Sequence, residues 1–242
     1  MRFVASLCLL FILSCNDAPP DIDMAFIPAG EFLLGLNPGK DLPQFISKTT
    51  ASANAQPMQN YYLDGFYIDL REVAYEDFIR FKPLAKYKTR QAGEPVRGVS
   101  WYEADAYCLW AKKRLPTEYE WEKAARGNDG RLFVWGNKFA KDAANLKRTV
   151  QKTGSMTGDK SVYGVYDMNG NVSEWTASWY LPYPKSNYQD NNFGKKFKIT
   201  RGGAINKREH GFMEEFAMLP YRNYVPRDIR AWDTGFRCAK SK

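Results

Sequence analysis

Two complete helix starts follow one another near the middle of the chain, and little else in it has helical periodicity. Ser100-Trp101-Tyr102-Glu103 is a capping box: the Ser100 hydroxyl and the Glu103 carboxylate can each accept the backbone N–H at the other's position. Behind it Trp101, Ala104, Cys108 and Ala111 recur on one helical face, which turns Cys108 toward a core. Thr117-Glu118-Tyr119-Glu120 repeats the device, so the second helix is expected to run to about Arg126 and stop at Gly127. A third, shorter helix is expected over AYEDFIRF before Pro83, with Ala74 a weak cap.

The rest reads as short strands and long connections. AFIPAGEFLLG has short apolar runs ending at Gly35, a strand or hairpin, and FYIDLREV (66–73) alternates like a half-buried strand. Residues 37–60 and 181–198 are polar, turn-rich segments expected to be long loops. Two central helices among many short strands make an α+β domain.

At 242 residues the chain suits one sizeable domain, or at most two small ones. Its 44% hydrophobic and 26% charged residues exclude a disordered chain. The net charge of +8 is spread along the sequence with no run of like charges, which favours a solvated basic surface over a nucleic-acid site. Aromatic residues, 15% of the chain, serve core and binding surface alike and do not discriminate.

The N-terminus, MRFVASLCLLFILSCNDAPP, begins with Arg2 and an apolar run from Phe3 to Leu13, too short to span a bilayer and suited to a secretory signal. Ile12-Leu13-Ser14-Cys15 resembles a bacterial lipobox, although Leu13 stands where smaller residues are commoner. Residues 1–14 then form a signal peptide and 15–23 a lipidated tether, with Cys15 carrying the lipid. A plain secretory signal and a buried N-terminal strand are the alternatives. Either exported form leaves Cys108 and Cys238 in an oxidising compartment as a disulfide or, less readily, as two buried thiols.

Over residues 24–242 a family resemblance emerges. GVSWYEADAYCLWAKKRLPTEYEWEKAARG (98–127), FVWGN (133–137), YGVYDMNGNVSEW (163–175), RGGA (201–204) and GFRCA (235–239) resemble, in order and spacing, the formylglycine-generating enzyme, or sulfatase-modifying factor, family. The resemblance implies a variant of the C-type lectin fold with little regular secondary structure. It also implies a disulfide between Cys108 and Cys238, and a calcium loop with Asp167 and Glu174 as carboxylate ligands and the carbonyls of Gly170 and Val172 beside them, a donor set that suits a hard cation. A turn held by the hydrogen bonds of its Asn and Asp side chains is the alternative for that loop. A second calcium site of some members looks truncated after Asn145.

The chemistry of the family does not carry over. Formylglycine generation needs a thiol pair after RGG, and an ungapped reading of RGGAINKREHGF puts Lys207 and Phe212 there. Ser173 stands where the resemblance expects tryptophan, and Ala204 where it expects serine. Iron-dependent relatives use three histidines, and His210 is the single histidine of this chain. Nearby Glu209, Glu214 and Glu215 read as a solvated acidic face, and no nucleophile elbow or phosphate-binding glycine loop is present.

The expectation is a lipoprotein of the bacterial cell envelope, periplasmic or surface-exposed, with calcium but no copper or iron. It would bind envelope proteins or a glycan, in the manner of the gliding and secretion lipoproteins that use this domain without evident catalysis. An oxidoreductase with metal held by carboxylates and His210 is the alternative.

Overall fold

The computed structural model describes residues 23–37, 50–83, 91–140, 142–147, 149–204 and 214–242. The capping boxes are formed as the sequence predicts. Ser100 opens α3 (Trp101–Trp110) and Thr117 opens α4 (Glu118–Arg126), which Gly127 ends at φ 67°. Ahead of them, α1 (Thr50–Ala53) is a single turn and α2 (Tyr75–Phe81) starts at Ala74 with no side-chain cap.

Nine short strands form three separate sheets among the described residues. β1 (Met24–Ile27), β4 (Phe66–Asp69) and β9 (Ala239–Ser241) make an antiparallel sheet in the order β1-β4-β9, and β2 (Gly30–Leu34) pairs with β3 (Gln59–Leu63) as a hairpin. The third sheet runs β7-β6-β5-β8, with β5 (Ser173–Trp179), β6 (Phe197–Arg201), β7 (Asn223–Pro226) and β8 (Thr234–Gly235); only β5 and β8 pair in parallel.

Several boundaries differ from the sequence reading. The 37–60 stretch includes α1 and the start of β3, because Gln59 pairs across the hairpin with Leu34. β4 ends at Asp69, four residues short of Val73; Glu72, which the alternation placed in the strand, is fully buried beyond it. The last two residues of the 181–198 stretch belong to β6, where Phe197 and Lys198 pair with Pro226 and Val225. On α3 the buried residues are Ala104, Tyr107 and Cys108, while Trp101 is half-buried and Ala111 is the C-cap.

Cys108 and Cys238 are joined in a disulfide with Cα atoms 5.6 Å apart. It lies in an aromatic core, where Tyr107 packs between Phe78, at a ring separation of 5.7 Å, and Phe236, at 5.3 Å. The pairing ties α3 to the strand end that carries the C-terminal sheet.

Candidate functional site

Segments far apart in sequence meet at the loop 167–174. Asn169 accepts a hydrogen bond from the Val134 N–H (2.9 Å) and donates to the Ala217 carbonyl (2.6 Å), so it joins the FVWGN turn to the 3-10 turn Glu214–Ala217. Asn171 donates to Glu72 (2.7 Å) and accepts from the Asn145 amide (2.9 Å) and the Gln151 N–H (2.9 Å). Gly170 lets the backbone approach Asn145: a Cβ there would stand 2.7 Å from its carbonyl oxygen. The loop is therefore braced by asparagine hydrogen bonds, and those bonds are long-range, unlike the local turn bonds of the alternative reading.

The RGG segment docks on this loop. A Cβ on Gly203 would meet the Asn169 carbonyl oxygen at 2.3 Å, and one on Gly202, at φ +80°, would meet the Trp121 ring at 3.2 Å. Ser173 donates from its hydroxyl to the Gly202 carbonyl (3.1 Å). Arg201 turns inward, fully buried, and donates to Glu122, to the Leu219 carbonyl (3.1 Å) and to the Tyr183 hydroxyl (3.2 Å). Lys207, Glu209, His210 and Phe212 lie outside the described residues, as do Cys8 and Cys15. Glu215 is buried, which corrects its assignment to a solvated acidic face: the 3-10 turn carries it inward.

Helix α4 supplies the other half of the frame. Glu122 accepts from the Gly35 N–H (2.7 Å), Arg126 (2.7 Å), the Tyr183 hydroxyl (3.0 Å) and Arg201. One turn earlier, Glu118 takes both ends of the Arg222 guanidinium, at 2.7 and 2.9 Å. Burial alone would raise Glu122, but the charges of Arg201 and Arg126 outweigh it and hold the carboxyl below its ordinary value.

Of the residues implied as calcium ligands, Asp167 and Glu174 are both buried and close enough for the Glu174 charge to act on Asp167. Asp167 sits at φ 59° and accepts from the Gly154 N–H (2.5 Å). Burial, with Glu174 adding to it, pushes its carboxyl up to about 6, against the Gly154 hydrogen bond and Arg237. Glu174 is chelated by Arg237 through both oxygens (2.6 and 2.7 Å) and also accepts from the Trp121 indole (2.9 Å). Three of its roughly four acceptor sites are thus engaged. Asp167 and the Gly170 and Val172 carbonyls are oxygen donors of the type a hard cation takes, while Glu174 would have to be shared with Arg237.

Sequence reasoning missed two further carboxylates here. Glu72 and Asp159 are fully buried, and burial followed by the charge of Asp167 raises both well above the usual range. With Asp167 and Glu174 they surround one guanidinium, that of Arg237, and the upward shifts favour the uncharged acid at Glu72 and Asp159. Arg237 was visible only as part of GFRCA, and no spacing marks Glu72 or Asp159. Among the described residues no cluster of three or more His, Cys, Asp or Glu side chains is arranged to hold a metal ion.

Comparison with known proteins follows the same lines. A family model described as Sulfatase-modifying factor enzyme 1-like domain matches residues 14–242. The inactive C-alpha-formylglycine-generating enzyme 2 of Mus musculus is 36% identical over 161 residues, covering 61% of this chain and 49% of the relative. The formylglycine-generating enzyme of the same organism is 29% identical over 287 aligned residues, covering 89% and 74%. The chain spans about half the length of the first of these relatives. Among solved structures, Treponema denticola variable protein 1 superposes with a TM-score of 0.66 at 18% identity, covering 90% of this chain and 95% of that one, a likeness of fold.

Proposed function

This chain belongs to the sulfatase-modifying factor (formylglycine-generating enzyme) family, and from that premise we propose that it is a non-catalytic member, a binding or scaffolding lipoprotein of the bacterial cell envelope. One observation carries the reading. The sequence holds four cysteines, two of them in the N-terminal segment, and the other two, Cys108 and Cys238, are consumed by the disulfide. A domain with no reduced thiol cannot bind copper or engage a substrate cysteine as the family's chemistry requires. Lys207 and Phe212, at the expected thiol positions, offer an ammonium and a phenyl ring in their place.

The anchor is the lipid on Cys15, with residues 15–23 as a tether. Calcium binds the 167–174 loop through Asp167 and the Gly170 and Val172 carbonyls and balances its buried carboxylates. The partner is an envelope protein or a glycan. A relative named as inactive supports the loss of activity.

Metal analysis and thiol titration of the purified chain test the reading. Protein free of copper and iron, with Cys108 and Cys238 oxidised, is expected. Stoichiometric copper or iron together with oxygen consumption would overturn it. The anchor is tested by Cys15→Ala, which is expected to leave the membrane fraction; retention there would refute lipidation.

A further inference from the structure

The sheet β1-β4-β9 turns one face to the core, and the other is covered only at its Asp69 end. Ala25, Ile27, Phe66, Ile68 and Ala239 point inward and are buried. On the other face the register sets Phe26 directly opposite Tyr67, and Tyr67 directly opposite Lys240. The two rings lie 5.1 Å apart and stay 43% and 37% exposed. Lys242 reaches back over the Phe26 ring at 5.5 Å. Gly65 is what lets Phe26 lie flat there, because a Cβ at that position would stand 3.1 Å from the ring. The one acid on this face, Asp69, is buried under Lys113, which pairs with it at 2.6 Å.

We propose that this face docks on an anionic phospholipid bilayer, an inference that rests on the lipid-anchor reading above. The place of the face in the chain argues for that occupant. β1 begins at Met24, directly after the tether, and at roughly 3.5 Å per residue the chain from Cys15 to Asp23 reaches at most about 30 Å. A lipid on Cys15 therefore holds the first strand within that distance of the headgroups, whichever way the domain turns. The composition argues for it too. Aromatic rings with an apolar body settle at the headgroup level, and lysines whose stems lie along apolar surface present their ammonium groups to anionic lipid. Each lysine at such a surface is worth roughly fivefold in partitioning, so Lys240 and Lys242 together bias the tethered domain toward the docked orientation.

The experiment uses the full chain, reconstituted into phosphatidylcholine vesicles with and without phosphatidylglycerol, and reads lysine acetylation by mass spectrometry. In phosphatidylglycerol vesicles, labelling of Lys240 and Lys242 is expected to fall about fivefold or more against the detergent-solubilised chain, while exposed Lys185 and Lys195 label equally in both. High salt, or the paired substitution Phe26→Ser and Tyr67→Ser, restores labelling without releasing the protein. Unchanged labelling in protein that floats with the vesicles and resists carbonate overturns the docking face and leaves the anchor standing. Flotation that depends on phosphatidylglycerol and is lost in high salt supports the face and overturns the anchor. Failure to float under any condition overturns both.

Discussion

Removing the Glu122 carboxylate is expected to cost far more than removing an equally well-formed pair on the surface. Glu122 is fully buried and serves two buried guanidiniums, Arg126 and Arg201, besides the Gly35 N–H and the Tyr183 hydroxyl. In Glu122→Ala, Arg126 keeps only carbonyl partners, among them Leu33 and Gly35, while Arg201 keeps the Leu219 carbonyl, the Tyr183 hydroxyl and a longer ion pair to Glu118 at 3.6 Å. A buried charge left without its counter-ion costs about 3–5 kcal/mol. For a chain of this size that corresponds to a fall of about 6–20 °C in Tm. Glu122→Gln keeps the shape and one carbonyl acceptor, so about 1.5–3 kcal/mol is expected, the range for hydrogen bonds to charged groups. The control is Asp129→Ala. Asp129 binds Arg131 through both oxygens with similar distances, but its side chain is 57% exposed, and a cost under about 1 kcal/mol follows from solvent screening. Urea unfolding followed by tryptophan fluorescence measures all three. The pH dependence carries the same sign. Because Arg201 and Arg126 overcome burial and hold the Glu122 carboxyl below its unfolded value, its contribution is present above about pH 4.3 and is lost as pH falls through the folded value. If Glu122→Ala costs no more than Asp129→Ala, the network is not a support of the fold.

Four further outcomes are expected. Replacing Cys108 and Cys238 by alanine opens a loop with a sequence separation of 130 and costs about 5 kcal/mol on the chain-entropy model; guanidinium unfolding of the variant and the parent measures it, and a loss under about 1 kcal/mol counts against that model here. Gly203→Ala drives a Cβ to within 2.3 Å of the Asn169 carbonyl oxygen and is expected to destabilise by about 1–3 kcal/mol, whereas Gly93→Ala meets only the Lys152 stem at 3.5 Å and should stay within about 0.5 kcal/mol. Lys198 lies between the Trp179 and Trp101 rings, at 3.9 and 4.2 Å, and burial, opposed by Asp105 and assisted by Arg227, pushes it down to about 8; since the unfolded chain keeps that proton to about pH 10.4, stability relative to Lys198→Met should climb between those values, and a constant difference or a fall means that the indoles outweigh burial. Calcium at about a hundred times its dissociation constant should stabilise the chain by about 2.7 kcal/mol, with the effect abolished in Asp167→Asn; no shift in Tm at millimolar calcium removes calcium from the reading.

What could be read from the sequence was whatever is decided locally. A capping box needs its two partners three residues apart, so both helix starts were legible, and so was the stop at Gly127. The cysteine pair was legible because two partners leave little choice. The sidedness of α4 was not. EYEWEKAAR has the composition of a solvated helix, yet Glu118, Glu120, Glu122, Lys123 and Arg126 are all buried. Their solvation is replaced by groups supplied from afar: Arg222 for Glu118, Arg201 for Glu122, and the Pro28 and Gly30 carbonyls for Lys123. Likewise Glu174 was legible as a carboxylate in a loop suited to calcium, but the arginine that holds it lies 63 residues on. Nothing in the spacing of either residue records the pairing.

The same distances explain why the family motifs speak of fold more than of reaction. Arg201 of RGG neutralises Glu122 of α4, and its two glycines admit Trp121 and the Asn169 carbonyl at distances no side chain would allow. Arg237 of GFRCA neutralises Glu174, which also accepts the Trp121 indole. Trp121 thus touches Gly202 of the first motif and Glu174, the acid that the second motif's arginine holds, while its own helix carries Glu122, the acid that Arg201 requires. Each of these residues has a mechanical partner in another signature, and none of these contacts involves a free thiol. A chain can therefore present every one of these motifs in register and still lack the thiols that the chemistry needs. The frame and the reaction are separable because the groups that hold one are not the groups that perform the other. This is the physical reason that Lys207 and Phe212 weigh more in the functional reading than the motifs on either side of them.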